Sequence, residues 1–141
     1  MTTPVWILLG FAGWTLLVLL LSVGVYRWSR ILTGRASIAE WRADFPQGSE
    51  WYRRAMRAHM NCVENLPVFA AIVLCATAAD ADSRLLDGLA GAVLVARICQ
   101  TTVHLALAPS DAAASVRFAF FFVQAICMLA LAASVAVVAI G

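Results

Sequence analysis

Residues 57–79 read RAHMNCVENLPVFAAIVLCATAA, a polar first part followed by an apolar second part. Arg57, Asn61 and Glu64 are spaced at i, i+4 and i+7, so a helix places all three on one face. With the residues that lead into it, the apolar part is long enough to cross a bilayer. Charged and amide groups that enter a membrane are costly unless protein groups or water meet them. The other segments should therefore contain partners for these three side chains.

The composition indicates an integral membrane protein. The chain of 141 residues is 63% hydrophobic and 13% charged, whereas soluble domains average about 45–50% apolar and about 25% charged residues. One membrane-spanning helix needs about 20 apolar residues. The length therefore allows four spans with short connections and leaves no room for a separate soluble catalytic domain. The first apolar run lacks a basic leading segment and is too long for a signal peptide, so we expect it to be retained as a span.

The hydrophobic pattern predicts an all-α membrane protein with a single domain over residues 1–141. Four spans are expected at about residues 4–30, 51–79, 84–108 and 112–140. Gly34, Pro46 and Gly48 are typical turn-formers in the first loop, and Ser83 is the expected N-cap of the third span. The short connections after the second and third spans predict antiparallel neighbours.

The distribution of arginines predicts the orientation in the membrane. All ten basic residues are arginines, and seven of them lie in or beside the first loop: Arg27, Arg30, Arg35, Arg42, Arg53, Arg54 and Arg57. The turn between the second and third spans is acidic instead. The positive-inside rule then places the first loop in the cytoplasm and both termini on the opposite side.

The third span carries a second polar face, and the fourth begins with a further cation. Arg97, Gln100 and His104 are spaced at i, i+3 and i+7, and Arg117 lies at a similar level. Glu64 and Arg97 lie at matched depths on adjacent antiparallel helices, which predicts an ion pair between them. The polar residues of the three spans should therefore converge on one basic pocket, open to the cytoplasm, that suits an anionic ligand.

Several of these residues have alternative interpretations. Arg117 either binds a ligand or extends to the lipid headgroups. The Arg97–Glu64 pair either belongs to the site or only fixes the register of two helices. His59 and His104 at two helix ends allow a haem with two axial histidines. The run Phe118–Phe122 is better explained as a lipid-facing and packing surface than as an aromatic cage.

The polar stretch resembles the second-helix pattern of the MAPEG family, the membrane-associated proteins in eicosanoid and glutathione metabolism. That pattern, Arg-Ala-His-x-Asn-x-x-Glu, is present at Arg57, Ala58, His59, Asn61 and Glu64. The position of Arg97, the length and the four-span layout extend the likeness over the whole chain. The resemblance implies a bacterial-type member, similar to microsomal glutathione transferases, in the bacterial inner membrane. It also implies a homotrimer with glutathione sites between neighbouring subunits.

The resemblance further implies roles for individual residues. Those expected to contact or frame glutathione are Arg57, Asn61, Glu64, Arg97, Gln100 and Arg117. Arg117 is the expected cation beside the thiol, and His104 the expected acid or base. A nearby guanidinium favours the thiolate, which would attack an apolar electrophile or a lipid hydroperoxide. Phe118 and Phe121 stand where some family enzymes have Ser and Tyr, and this departure favours the alternative of a non-catalytic, lipid- or partner-binding trimer.

Overall fold

The chain folds into helices that account for the four predicted spans. The computed structural model describes residues 1–42 and 47–140. The first span consists of α1 (Thr3–Val18), a π-helical segment (Leu19–Gly24) and α2 (Val25–Leu32); the other spans are α3 (Glu50–Ala78), α4 (Arg84–Ala106) and α5 (Asp111–Ile140). All four are long and apolar enough to cross a membrane. The predicted all-α, four-helix membrane fold is therefore confirmed.

The first loop contains a short 3-10 helix at Ile38–Glu40 and two glycines with positive φ. Gly34 has a φ of 69° and Gly48 a φ of 141°, a region of backbone space that glycine adopts without steric cost. Both positions were predicted as turn-formers, and their geometry agrees. Pro46, the third predicted turn-former, lies outside the described residues.

Three of the helices begin at a serine whose hydroxyl accepts a hydrogen bond from a backbone N–H in the first turn. Ser49 Oγ accepts from Tyr52 N at 3.2 Å, Ser83 Oγ from Leu86 N at 3.2 Å and Ser110 Oγ from Ala113 N at 3.1 Å. Each bond satisfies one of the donors that a helix start leaves free. The predicted cap at Ser83 is confirmed, and it allows a short connection between α3 and α4.

The main core lies between the four spans in the half of the bundle away from the first loop. Its largest members are the rings of Phe11 on α1 and Phe69 on α3, whose centroids are 5.8 Å apart, and Leu131 of α5. A second, smaller cluster near the first loop packs Val23 against Tyr52 and its neighbours on α3. The site described next lies at the same end of the bundle as this second cluster, between α3, α4 and α5.

Candidate functional site

A basic cavity of about 330 Å³ lies between the start of α3 and the turn that joins α4 to α5. It is lined by Glu50, Arg53, Arg54, Arg57, His104, Pro109 and Arg117. Four arginines face one carboxylate there, and that carboxylate is 3.9 Å from the Arg53 guanidinium. The Nε atom of Arg54 is buried and has no hydrogen-bond partner within residues 1–42 and 47–140. The cavity therefore has an excess of positive charge and at least one donor that lacks an acceptor.

A second cavity, of about 380 Å³, adjoins the first. It is lined by Asn61, Gln100, His104, Ala114, Arg117, Phe118 and Phe121. His104 and Arg117 line both cavities, so these two side chains lie on the shared wall. One end of the combined space is cationic, and the other combines amide groups with aromatic rings.

Helical spacing explains why these residues meet. Arg57 and Asn61 on α3 are four residues apart, and so are Gln100 and His104 on α4. Residues with this spacing lie on one face of a helix, one turn above each other. Each of the two helices therefore contributes one residue to the basic end and another to the aromatic end.

A pair of glutamines joins α4 to α5 behind the second cavity. Gln124 Nε2 donates to Gln100 Oε1 at 3.0 Å and to the carbonyl oxygen of Phe120 at 3.0 Å. Gln100 Nε2 donates to the carbonyl oxygen of Arg117 at 3.2 Å. Gln124 is fully buried. This network ties the cavity-lining amide of Gln100 to the backbone turn that carries Arg117.

Arg97 lies in the protein core and lines neither cavity. Its side chain is 1% exposed, and its guanidinium carbon lies 5.8 Å from the centroid of the Phe11 ring. The Nε and Nη2 atoms have no hydrogen-bond partner in the part of the chain that the structure describes. Thr101, one turn further along α4, has its hydroxyl 3.5 Å from the sulfur of Cys62 on α3. The face of α4 that carries Arg97 therefore packs against the Cys62 face of α3.

The predicted ion pair between Glu64 and Arg97 is wrong for the described residues. Glu64 follows Cys62 by two residues, which is a rotation of about 200° around a helix. Glu64 is exposed on the surface of the single chain, and it forms no ion pair with Arg97 among the described residues. Matched depth predicted the pair, but depth alone does not fix which way a helix is rotated.

The seven predicted site residues thus divide into two groups. Five line the two cavities: Arg57, Asn61, Gln100, His104 and Arg117. Glu64 and Arg97 line neither. The functional roles of all seven remain predictions.

Gln124 is a residue that the sequence analysis did not include in the site. The signal was present, because Gln124 follows Arg117 by seven residues in an otherwise apolar helix. That spacing returns to the same helical face.

Phe118 and Phe121 are exposed as predicted for a lipid-facing surface, but they also line the second cavity. His59 lines neither cavity, so these two spaces do not bring it together with His104.

Comparison with known proteins assigns the chain to a family. No curated protein and no solved structure gives a significant match. The sequence profile of the MAPEG family matches residues 5–137, which includes most or all of each of the four spans. The match includes every residue that lines the two cavities. The chain therefore belongs to the MAPEG family.

Proposed function

We propose that this protein binds glutathione in the two adjoining cavities and acts as a glutathione transferase or peroxidase on apolar electrophiles or lipid hydroperoxides. The observation that carries the proposal is the position of Arg117 on the wall between a basic cavity and an aromatic one. Membership of the MAPEG family, which includes glutathione transferases, supports the same ligand.

The charge of the first cavity fits the peptide part of glutathione. Glutathione carries two carboxylates and one amine, so its net charge at neutral pH is negative. Arg54 and Arg57 offer guanidinium groups, which bind carboxylates through paired, charge-assisted hydrogen bonds. The buried Nε of Arg54 has no acceptor within the described residues, and a carboxylate would supply one. The residues therefore fit this ligand.

The second cavity fits the thiol and an apolar substrate. With the carboxylates near Arg54 and Arg57, the thiol would extend toward Arg117. A guanidinium favours the thiolate over the thiol, which lowers the pKa of the bound thiol and makes its sulfur a better nucleophile at neutral pH. The exposed rings of Phe118 and Phe121 offer an apolar surface to a compound that arrives from the bilayer. In conjugation, the sulfur forms a bond to the electrophilic carbon while the leaving group departs with its electron pair.

The proposal includes an assembly and a location. A homotrimer with its glutathione sites between subunits would cover the face of α3 that exposes Glu64. The arginines of the first loop favour a cytoplasmic position for that loop and for both cavities, and we propose the bacterial inner membrane as the location.

A second candidate is a trimer of the same fold that binds a lipid or a partner without catalysis. The observation in its favour is that Phe118 and Phe121 bring no hydroxyl group to the second cavity. Hydroxyl groups at these positions would donate hydrogen bonds to a thiolate. The two candidates differ in turnover, not in fold.

The test is calorimetric titration of the purified protein with glutathione, followed by a conjugation assay with a generic aryl halide. We expect binding and measurable turnover. Binding without turnover with the aryl halide or with a lipid hydroperoxide would select the non-catalytic candidate. Absence of glutathione binding would overturn the proposed function.

The variant Arg117→Ala tests the role of the cation. In the wild type, the absorbance of the bound thiolate near about 240 nm should titrate at a lower pH than that of free glutathione. Loss of a neighbouring positive charge should move this midpoint up by about one to three pH units. Arg84→Ala is the matched control, because Arg84 is an exposed arginine at the first residue of α4, outside both cavities. An unchanged midpoint in Arg117→Ala would exclude this role.

A further inference from the structure

The two backbone carbonyls behind the second cavity fix the orientation of both glutamine amides. A carbonyl oxygen only accepts hydrogen bonds, so the side-chain nitrogens must be the atoms that face Phe120 O and Arg117 O. Gln124 Nε2 then uses its two hydrogens on Phe120 O and on Gln100 Oε1. The oxygen of Gln100 is therefore held on the side of Gln124, and its nitrogen is held on the side of Arg117.

This orientation leaves Gln100 with one unused donor. The amide nitrogen has two hydrogens, and one of them is used on Arg117 O at 3.2 Å. The second has no acceptor among the described residues, although Gln100 also lines the second cavity. Asn61 lines the same cavity, but its side chain makes no hydrogen bond to another described residue that would fix which of its two polar atoms faces inward.

We infer that Gln100 presents this N–H beside Arg117 as a second donor to a bound thiolate sulfur, and that Gln124 is the positioning residue that fixes it. The inference rests on the proposed glutathione site. In this arrangement an amide of α4 donates the hydrogen bond to the thiolate. Hydroxyl-bearing side chains in place of Phe118 and Phe121 would otherwise donate it. The proton of the thiol leaves to solvent through the open cavity.

Substitution of Gln124 should weaken the hydrogen bond from Gln100 to the thiolate without abolishing ligand binding. The variant Gln124→Met keeps the length of the side chain but removes the bond to Gln100 Oε1. The amide of Gln100 then keeps only the bond from its Nε2 to Arg117 O, so its unused N–H is held less firmly toward the bound sulfur. Hydrogen bonds to charged groups are strong enough for their loss to move the thiol midpoint up by about one pH unit.

The experiment measures two quantities on the intact protein: the pH midpoint of the bound glutathione thiolate and the affinity for S-methylglutathione, which cannot ionise at sulfur. For Gln124→Met we expect a raised midpoint and an affinity for S-methylglutathione within about threefold of the wild type. Gln100→Met should raise the midpoint as well. The double variant should show no more than the shift of Gln100→Met alone, because Gln124 acts through Gln100.

Ser134→Ala is the matched control on the same helix. It removes a side-chain bond to a backbone carbonyl of α5, at 2.8 Å to Ala130 O, outside the second cavity. It should change neither quantity. An unchanged midpoint in Gln124→Met, additive shifts in the double variant, or a parallel loss of S-methylglutathione affinity would each overturn the inference. If the wild type binds neither glutathione nor its S-methyl form, the proposed function fails and the inference fails with it.

Discussion

Arg97 is a guanidinium surrounded by protein on all sides. Its guanidinium carbon lies 5.8 Å from the centroid of the Phe11 ring, and it forms no ion pair with a carboxylate among the described residues. Burial of a charge without a partner costs free energy that a weak interaction with an aromatic face only partly offsets. The Arg97 side chain is 1% exposed in the single chain, so water does not compensate for the missing ion pair.

We therefore predict that Arg97→Met leaves the thermal midpoint of the protein in mild detergent unchanged or raises it. Methionine fills a similar volume and removes the unpaired charge, and replacement of this kind is often neutral or stabilising by about 1–4 kcal/mol. The comparison variant Arg97→Ala should lower the midpoint, because it leaves a void against Phe11 and removes the same charge. A large fall of the thermal midpoint in Arg97→Met, matched by an equal fall in Glu64→Gln, would show that the two residues are paired after all.

The site could be predicted in part at the level of single residues. The spacing of Arg57 with Asn61 and of Gln100 with His104 indicates which residues share a face, and these four do line the cavities. The rotation of each helix about its axis is set by packing, which no spacing within one helix reveals. The position of Glu64 depends on that rotation. The role proposed for Gln124 depends on helix rotation too, because it follows from a contact between α5 and α4.

Among the elements, the first span shows the clearest departure from regular geometry. Val18 and Val23 are both buried although they are five residues apart, a spacing that the π-helical segment Leu19–Gly24 accounts for. Continued α-helical spacing from Val18 would bring Val25 onto the buried face, but Val25 is exposed. Tyr26 takes its place and stacks on Tyr52 with a centroid distance of 4.5 Å. The uniformly apolar sequence of this span gives no signal for the extra residue.

The π-helical segment predicts opposite results for two single-residue deletions in the first span. Deletion of Leu21 removes the extra residue and restores an α-helix without turning either end relative to the other. Deletion of Leu16, which lies in the regular part of α1, rotates one end by about 100° and takes either Phe11 or Val18 out of the core. The two leucines are comparably exposed, at 68% and 57%, so loss of the side chain itself contributes little to the difference.

The measurement for this pair is the thermal midpoint, together with limited proteolysis of the first loop. The Leu21 deletion should behave much like the wild type. The Leu16 deletion should lower the free energy of unfolding by at least about 3 kcal/mol, the usual cost when a large aromatic side chain leaves a core. Equal damage in both deletions would contradict the assignment of the extra residue to Leu19–Gly24.

At the scale of the whole molecule, hydropathy was sufficient to predict the fold, because each span must satisfy its own backbone hydrogen bonds within the bilayer.

The surface of the single chain exposes polar residues within one of the spans. Most of its exposed residues in the spans are apolar and suit lipid, but the α3 face exposes Arg57 and Glu64. Glu64 lies 14 residues after the first residue of α3, or about 21 Å along the helix. A carboxylate on the surface of a membrane-spanning helix is costly if it faces acyl chains.

The cost at Glu64 predicts that another copy of the chain covers this face. We expect native mass spectrometry in mild detergent to show a homotrimer, as proposed above. Glu64→Arg should dissociate it, because reversal of a charge inside a packed interface leaves the groups that face it without a partner. Asp82→Arg is the matched control: it reverses the same charge at an exposed residue of the turn between α3 and α4, outside both cavities, where water screens the change. A monomeric wild type, or a Glu64→Arg protein as trimeric as the control, would show that the carboxylate is satisfied in some other way, such as by water in a lipid defect.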